Sequence, residues 1–288
     1  MSGKIGNNIG YSSGSVTAPS GGVEIRSDDP TLSEGLMWYN TTANALKVAR
    51  NIGAWSSGGN LNTGRKVGAG TAGTQSAGFI AGGDVSGSRT LNSETYNGSS
   101  WTSAGDMTGS ARGDGGSWGT QTAGAQAGGW TGSLQTVTNL FDGTSWSDPS
   151  DALATGSFTH GACGTQTAAL SRVGGYTDVV RLSSCEEYDG SSHSSGGSLS
   201  GNRGDAVTCG TVNSAVQAGG QSAGGAGNIL TICETYNGSA WSTSGATLAS
   251  KKRQAMIFGA SDSDGTISGG NDNVNNLATA ESWNGTSW

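Results

Sequence analysis

The chain has 288 residues, among them 53 glycines and only 3 prolines; 12% are charged, and the formal charge is −7 with a pI near 4.7. Glycine and the abundant Ser, Thr and Asn disfavour helix interiors, and the 14 basic residues are scattered, which excludes a helical bundle and leaves no footprint for a nucleic-acid backbone. No apolar run approaches the ~20 residues of a membrane span, and the glycines lack the three-residue period of collagen.

Residues 1–35 are polar, Gly- and Ser-rich and aperiodic, the composition of an arm or tether. Their first stretch, MSGKIGNNIGYSSGS, lacks the apolar segment of a secretory signal, so the protein is expected in the cytoplasm of the cell that makes it until assembly or lysis. In residues 36–54 two apolar stretches, LMWYN and ALKVAR, flank the turn-like TTAN and predict a β-hairpin.

From residue 55 to 288 the chain repeats. The turn dipeptides Asn97-Gly98, Asp142-Gly143, Asp189-Gly190, Asn237-Gly238 and Asn284-Gly285 are separated by 45, 47, 48 and 47 residues. A Gly-Gly pair ends an apolar stretch in the same phase, at 82–83, 128–129, 174–175, 219–220 and 269–270. GTQSA, GTQTA, GTQTA and GTVNS, beginning at Gly73, Gly119, Gly164 and Gly210, mark a third point. Asn-Gly between strand-forming residues predicts a type I′ hairpin, and the GTQT stretch reads as another tight turn. Each unit thus holds four short strands, a to d, and such a unit every 40–50 residues is a propeller blade. The expected fold is all-β, a five-bladed β-propeller of four-stranded antiparallel blades preceded by an extended arm and a hairpin.

The chain stops at Trp288, where strand d of the fifth blade begins. Trp55 to Arg65 spans ten residues, beside the eleven from Trp101 to Arg112, so residues 55–60 are expected to supply that strand and remove an exposed sheet edge. Cys163 and Cys209 precede repeat glycines, whereas Cys185 and Cys233 lie three residues before repeat aromatics. All four read as small free core residues.

Gly-Gly after strand b, an aromatic in strand c (Tyr96, Phe141, Tyr188, Tyr236, Trp283), a Trp about five residues later (Trp101, Trp146, Trp241, Trp288) and an Arg opening the next unit (Arg112, Arg203, Arg253) resemble the kelch repeat. Blade three departs from it, with His193 in the Trp position. Trp38, Tyr39, Asn40, Thr41, Leu46, Val48 and Trp55 resemble a segment of bacteriophage tail-fibre and other virion proteins. That resemblance implies a non-enzymatic virion component: a tail fibre, a tail appendage or a capsid decoration. Its partners would be other virion proteins through the arm and a host-surface glycan or receptor through the propeller, within an oligomeric assembly. The alternatives are a cellular kelch adaptor and a carbohydrate-active or oxidase propeller.

Motifs of catalysis dissolve on inspection. GAGTAG at 68–73 matches the dinucleotide fingerprint in a chain rich enough in glycine to produce it by chance, and a GTQ turn follows where a helix is required. GNLNTGRK at 59–66 has Arg65 where a phosphate loop needs Lys. His160 and His193 fall in different blades, too little for a serine triad or a copper radical centre. Asp262, Asp264 and Asp272 lack the spacing of a calcium loop. The sequons at Asn97, Asn237 and Asn284 are the hairpin turns themselves, and Asn40 carries the fourth. Glu94, Glu186, Glu234 and Glu281 occupy one position per blade and read as structural. No catalytic residue, metal ligand or cofactor is expected.

The a–b and c–d turns share one face and are stereotyped. The b–c and d–a connections share the other, and the segments 84–92, 130–137, 176–184, 221–230 and 271–278 differ in every blade. Variation among repeats leaves room for recognition. Trp130, Tyr176, Arg89 and Arg181 are the expected contacts, because aromatic and Arg side chains dominate binding hot spots.

Overall fold

The computed structural model describes residues 24–27, 37–42, 45–48, 57–66, 70–178, 180–223 and 228–288; its regular structure is short strands, and no α-helix occurs among these residues. The chain divides into the units Met1–Ser57 and Gly58–Trp288. In the first, β1 (Glu24–Arg26) runs parallel to β2 (Met37–Asn40), with Glu24 opposite Trp38. Strand β2 is antiparallel to β3 (Ala45–Val48) and pairs Met37 with Val48, the hairpin that the stretches around TTAN predict. The segment 1–35 therefore contributes a strand that its composition did not announce; apart from that strand and Ser27 it lies outside the described residues.

The second unit is a five-bladed β-propeller. Blade one contains β4 (Gly70–Thr74), β5 (Ala77–Ala81), a two-residue ribbon β6 (Asp84–Val85) and β7 (Ser88–Arg89), then β8 (Ser93–Tyr96) and β9 (Trp101–Ala104). Blade two is β10 (Gly116–Thr120), β11 (Ala123–Ala127), β12 (Thr138–Phe141) and β13 (Trp146–Ser147). Blade three is β14 (Gly161–Thr165), β15 (Ala168–Val173), β16 (Cys185–Tyr188) and β17 (His193–Ser195). Blade four is β18 (Val207–Thr211), β19 (Ser214–Ala218), β20 (Cys233–Tyr236) and β21 (Trp241–Thr243). Blade five is β22 (Met256–Ser261), β23 (Asp264–Ser268) and β24 (Ala280–Trp283), three strands. Pairing within each blade is antiparallel and follows chain order.

The c–d turn is not the type I′ hairpin that Asn-Gly predicts. Tyr96 pairs with Trp101, so four residues form the loop, and of the turn dipeptide only Gly98 has positive φ, at 92°. The Asn97 side chain accepts the amides of Ser99 and Ser100 at 3.0 and 2.9 Å, and Asp142, Asp189, Asn237 and Asn284 repeat the arrangement. An Asx side chain that caps two amides removes the need for a second left-handed residue.

Each Gly-Gly pair has positive φ at both positions, for example 67° and 101° at Gly128 and Gly129. The second amide leaves the blade and bonds its neighbour: Gly83 to Arg112 O, Gly129 to Ser157 O, Gly175 to Arg203 O and Gly220 to Lys252 O, at 2.8–2.9 Å. Side chains repeat the same interface. Every blade carries a ring pair across the turn that follows strand c, from Tyr96–Trp101 to Trp283–Trp288 with centroids 4.7–5.3 Å apart, and His193 takes the Trp place beside Tyr188. Those rings pack on the preceding blade: Phe141 and Trp146 on Phe79, Tyr188 on Trp118, Trp241 beside Cys185, Trp288 beside Cys233. The four cysteines are free and buried as expected, and burial pushes the Cys209 and Cys233 thiols up to about 12, which keeps them unreactive.

The repeated glutamates hold the blades in register. Glu94 accepts Asn62 N and Arg65 Nη2, Glu186 accepts Ala154 N, Glu234 accepts Ser200 N and Arg203, and Glu281 accepts Ala249 N beside Lys252. The buried cation before blade five is therefore Lys252 rather than Arg253, which turns to Asp205. Asn139 replaces the carboxylate in blade two and meets Arg112. In blade three Ser157 stands where the cation belongs, and Arg172 of β15 supplies it, donating Nε to Glu186 at 2.9 Å.

The innermost strands lie side by side in the series β4, β10, β14, β18, β22. At its two ends β4 and β22 are largely exposed, and Gln75 is exposed where Gln121 and Gln166 donate to the preceding blade. Residues 55 and 56 of the expected closing strand lie outside the described residues. Gly58–Asn60 carry no strand; a Cβ on Gly59 would meet Ser99 and Ser100 of blade one, as one on Gly105 would meet Thr144 and Ser145 of blade two. The fourth-strand place in blade five is not filled by a described residue.

Candidate functional site

One face of the propeller is built on a backbone that repeats while its side chains do not. The residue after each Gly-Gly pair forms an isolated bridge to the residue that leads into strand a or, for Arg253, into the same position: Lys66 with Asp84, Gly113 with Trp130, Phe158 with Tyr176, Gly204 with Gln221, Arg253 with Asn271. Next along the chain come Asp114, Thr159, Asp205 and Gln254, all left-handed, with φ of 50–64°. Their backbones climb from blade to blade, Thr159 N to Asp114 O at 2.6 Å, Asp205 N to Thr159 O at 3.0 Å and Gln254 N to Asp205 O at 2.9 Å. Non-glycine residues in this conformation cost of order 1 kcal/mol each, yet glycine occupies none of the four positions.

Blades two to four turn this scaffold into a continuous array. The Trp130 and Phe158 rings lie 5.5 Å apart and Phe158 stacks on Tyr176 at 5.4 Å. The Tyr176 ring fills the space a Cβ on Gly204 would need. Arg181 lies over Tyr176, its Cζ 4.2 Å from the ring centroid, and donates Nη2 to the Tyr176 hydroxyl and, at 2.8 Å, to Gln221 Oε1. Tyr176 OH also donates to Gln221 Oε1 at 3.1 Å, and Arg253 reaches the same oxygen at 3.4 Å while pairing with Asp205 at 3.3 Å. Arg89 pairs with Asp114 across the first blade boundary at 3.2 Å. Burial raises the Asp114 carboxyl above its usual range, opposed by Arg89 and reinforced by the charge of Asp205; burial likewise raises the Tyr176 phenol.

All four residues expected from the sequence thus share this face, half-buried, with Trp130, Tyr176 and Arg181 in one array and Arg89 tied to Asp114. Phe158, Gln221, Asp205 and Arg253 were missed. Phe158 follows the position of the repeat cation and Gln221 follows a Gly-Gly pair, so the repeat register itself carried the signal.

The other residues singled out from the sequence serve the fold. Asp262 accepts the Ser214 hydroxyl at 2.8 Å and Asp272 caps Val274 and Asn275. Among the described residues no group of three or more His, Cys, Asp and Glu is placed to hold a metal ion. His193 bridges Ser171 Oγ at 2.9 Å and Thr138 Oγ1 at 2.8 Å between blades. His160 Nε2 accepts the Gly116 amide at 3.0 Å, so the proton sits on Nδ1, 3.2 Å from Ser157 Oγ. Burial, with the Arg172 charge beside it, drives its pKa from 6.5 down to about 3. A histidine held neutral in the fold contributes its full stability above pH 6.5 and loses it as pH falls from there towards 3. His160→Gln is expected to flatten the loss of stability between pH 6.5 and 5 by about 1.4 kcal/mol per pH unit at most, read from urea midpoints at stepped pH. An unchanged slope would show the imidazole reached by water.

The fold is a β-propeller, an architecture consistent with a role in protein interaction. Comparison with protein-family models and with curated proteins gives no match.

Proposed function

We propose that this chain is a non-enzymatic recognition module of a bacteriophage virion, a kelch-type propeller whose b–c/d–a face binds a host-surface glycan or receptor while its N-terminal arm engages other virion proteins. The observation that carries the binding role is the array Trp130–Phe158–Tyr176–Arg181, raised on backbone positions that repeat in every blade but hold different side chains in each. Aromatic platforms beside amide, carboxylate and guanidinium groups suit sugar rings, whose C–H faces stack and whose hydroxyls need both donors and acceptors. The virion setting rests on the likeness of residues 38–55 to tail-fibre segments, and the kelch type on the Gly-Gly and aromatic–Trp markers. A non-enzymatic role is supported by the use of both histidines in contacts between blades.

One experiment addresses both halves. Peptide mass spectrometry of purified phage particles is expected to find the chain at a fixed ratio to the major capsid protein. Particles carrying Trp130→Ala with Tyr176→Ala should hold the same ratio and adsorb to host cells about tenfold less or worse. Absence from particles would refute the virion role, and unchanged adsorption would refute the face.

A further inference from the structure

The ligand's charge can be read from an imbalance within the array. Arg181, Arg253 and Tyr176 all converge on one neutral acceptor, Gln221 Oε1. Arg253 is compensated by Asp205 at 3.3 Å and Arg89 by Asp114 at 3.2 Å. Arg181 has no carboxylate within ion-pair distance among the described residues; its partners are the Tyr176 ring and hydroxyl and the Gln221 amide. Its Nε, and the Nε of Arg253, are buried without an acceptor. A half-buried guanidinium held beside a second one, in a chain of net charge −7, is an arrangement that folding alone does not favour.

Resting on the reading of this face as a glycan site, we propose that its ligand is a carboxylated sugar, whose carboxylate pairs with Arg181 while its ring lies against the Trp130–Phe158–Tyr176 array. The guanidinium fork suits a planar carboxylate, and the cation is already oriented by Tyr176 and Gln221, so little ordering remains to be done on binding. Neutral sugars would stack without taking up the unpaired charge.

The test titrates the full chain by calorimetry with a hexuronate oligosaccharide, a nonulosonate oligosaccharide and the carboxyl-reduced form of each. The acid form of one series should bind about tenfold tighter than its reduced form, and which series does so identifies the source of the carboxylate. Arg181→Gln should erase that difference, and Arg181→Lys should restore part of it; urea midpoints confirm that both variants fold. Trp130→Ala should weaken acid and reduced forms alike. Equal binding of the two forms, sensitive to Trp130, would overturn the charge assignment and keep the face as a glycan site. Binding of neither series, or of an Asp/Glu-rich peptide instead, would overturn both.

Discussion

Replacing Glu234 by alanine is expected to destabilise the propeller by about 3–5 kcal/mol, the range for removing one partner of a buried pair. Glu234 is fully buried and Arg203 nearly so. The carboxylate accepts Ser200 N and Oγ, both at 2.9 Å, besides the guanidinium, so its loss frees a linker amide as well as a charge. Arg203 Nε and Nη1 have no other acceptor, and the guanidinium would be left alone between blades three and four. Urea unfolding measures the cost through the midpoint. Removing both charges, as Arg203→Met with Glu234→Leu, should cost less than Glu234→Ala alone, because the penalty lies in the orphaned charge. A single variant within about 1 kcal/mol of the parent would mean that water reaches the pair.

Blade three offers a sharper case, because its cation has moved. Arg172→Gln places the Gln126 and Gln217 residue type in β15 and should cost about 3–5 kcal/mol by orphaning Glu186. Adding Ser157→Arg returns a guanidinium to the position that Arg65, Arg112, Arg203 and Lys252 hold in the other blades and is expected to recover much of the loss. The recovery is net of the Ser157–His160 contact at 3.2 Å, which the second change removes. A double variant no more stable than Arg172→Gln would show that the two routes to Glu186 are not interchangeable.

These exchanges mark how far the chain could be read. The Gly-Gly pairs, the Asx-Gly turns and the aromatic–Trp pairs were legible because each answers a local demand: positive φ, two capped amides, or one ring against the next. Four of the five glutamate positions were legible as a regularity, although their partners were not, since Ala154, Ser200 and Ala249 reach them from linkers more than thirty residues away. The face was legible in part. Trp130, Tyr176 and Arg181 stood out by residue type, whereas Phe158 and Gln221 join them only because one backbone bridge per blade brings the approach to strand a beside the residue after Gly-Gly.

By itself the sequence determined the class of fold, the phase of its blades and the side of the propeller where the repeats diverge, because periodicity and turn chemistry act over a few residues at a time. Only the tertiary structure decided which loop residues become one array, that Arg172 takes over for Ser157, that Lys252 and not Arg253 is the buried cation, and that β4 and β22 are exposed at the ends of the series. The array and the turn of Arg253 to Asp205 are contacts between blades, Arg172 meets Glu186 across two strands of one blade, and the exposed ends follow from the order in which the sheets stack; no local pattern specifies any of these.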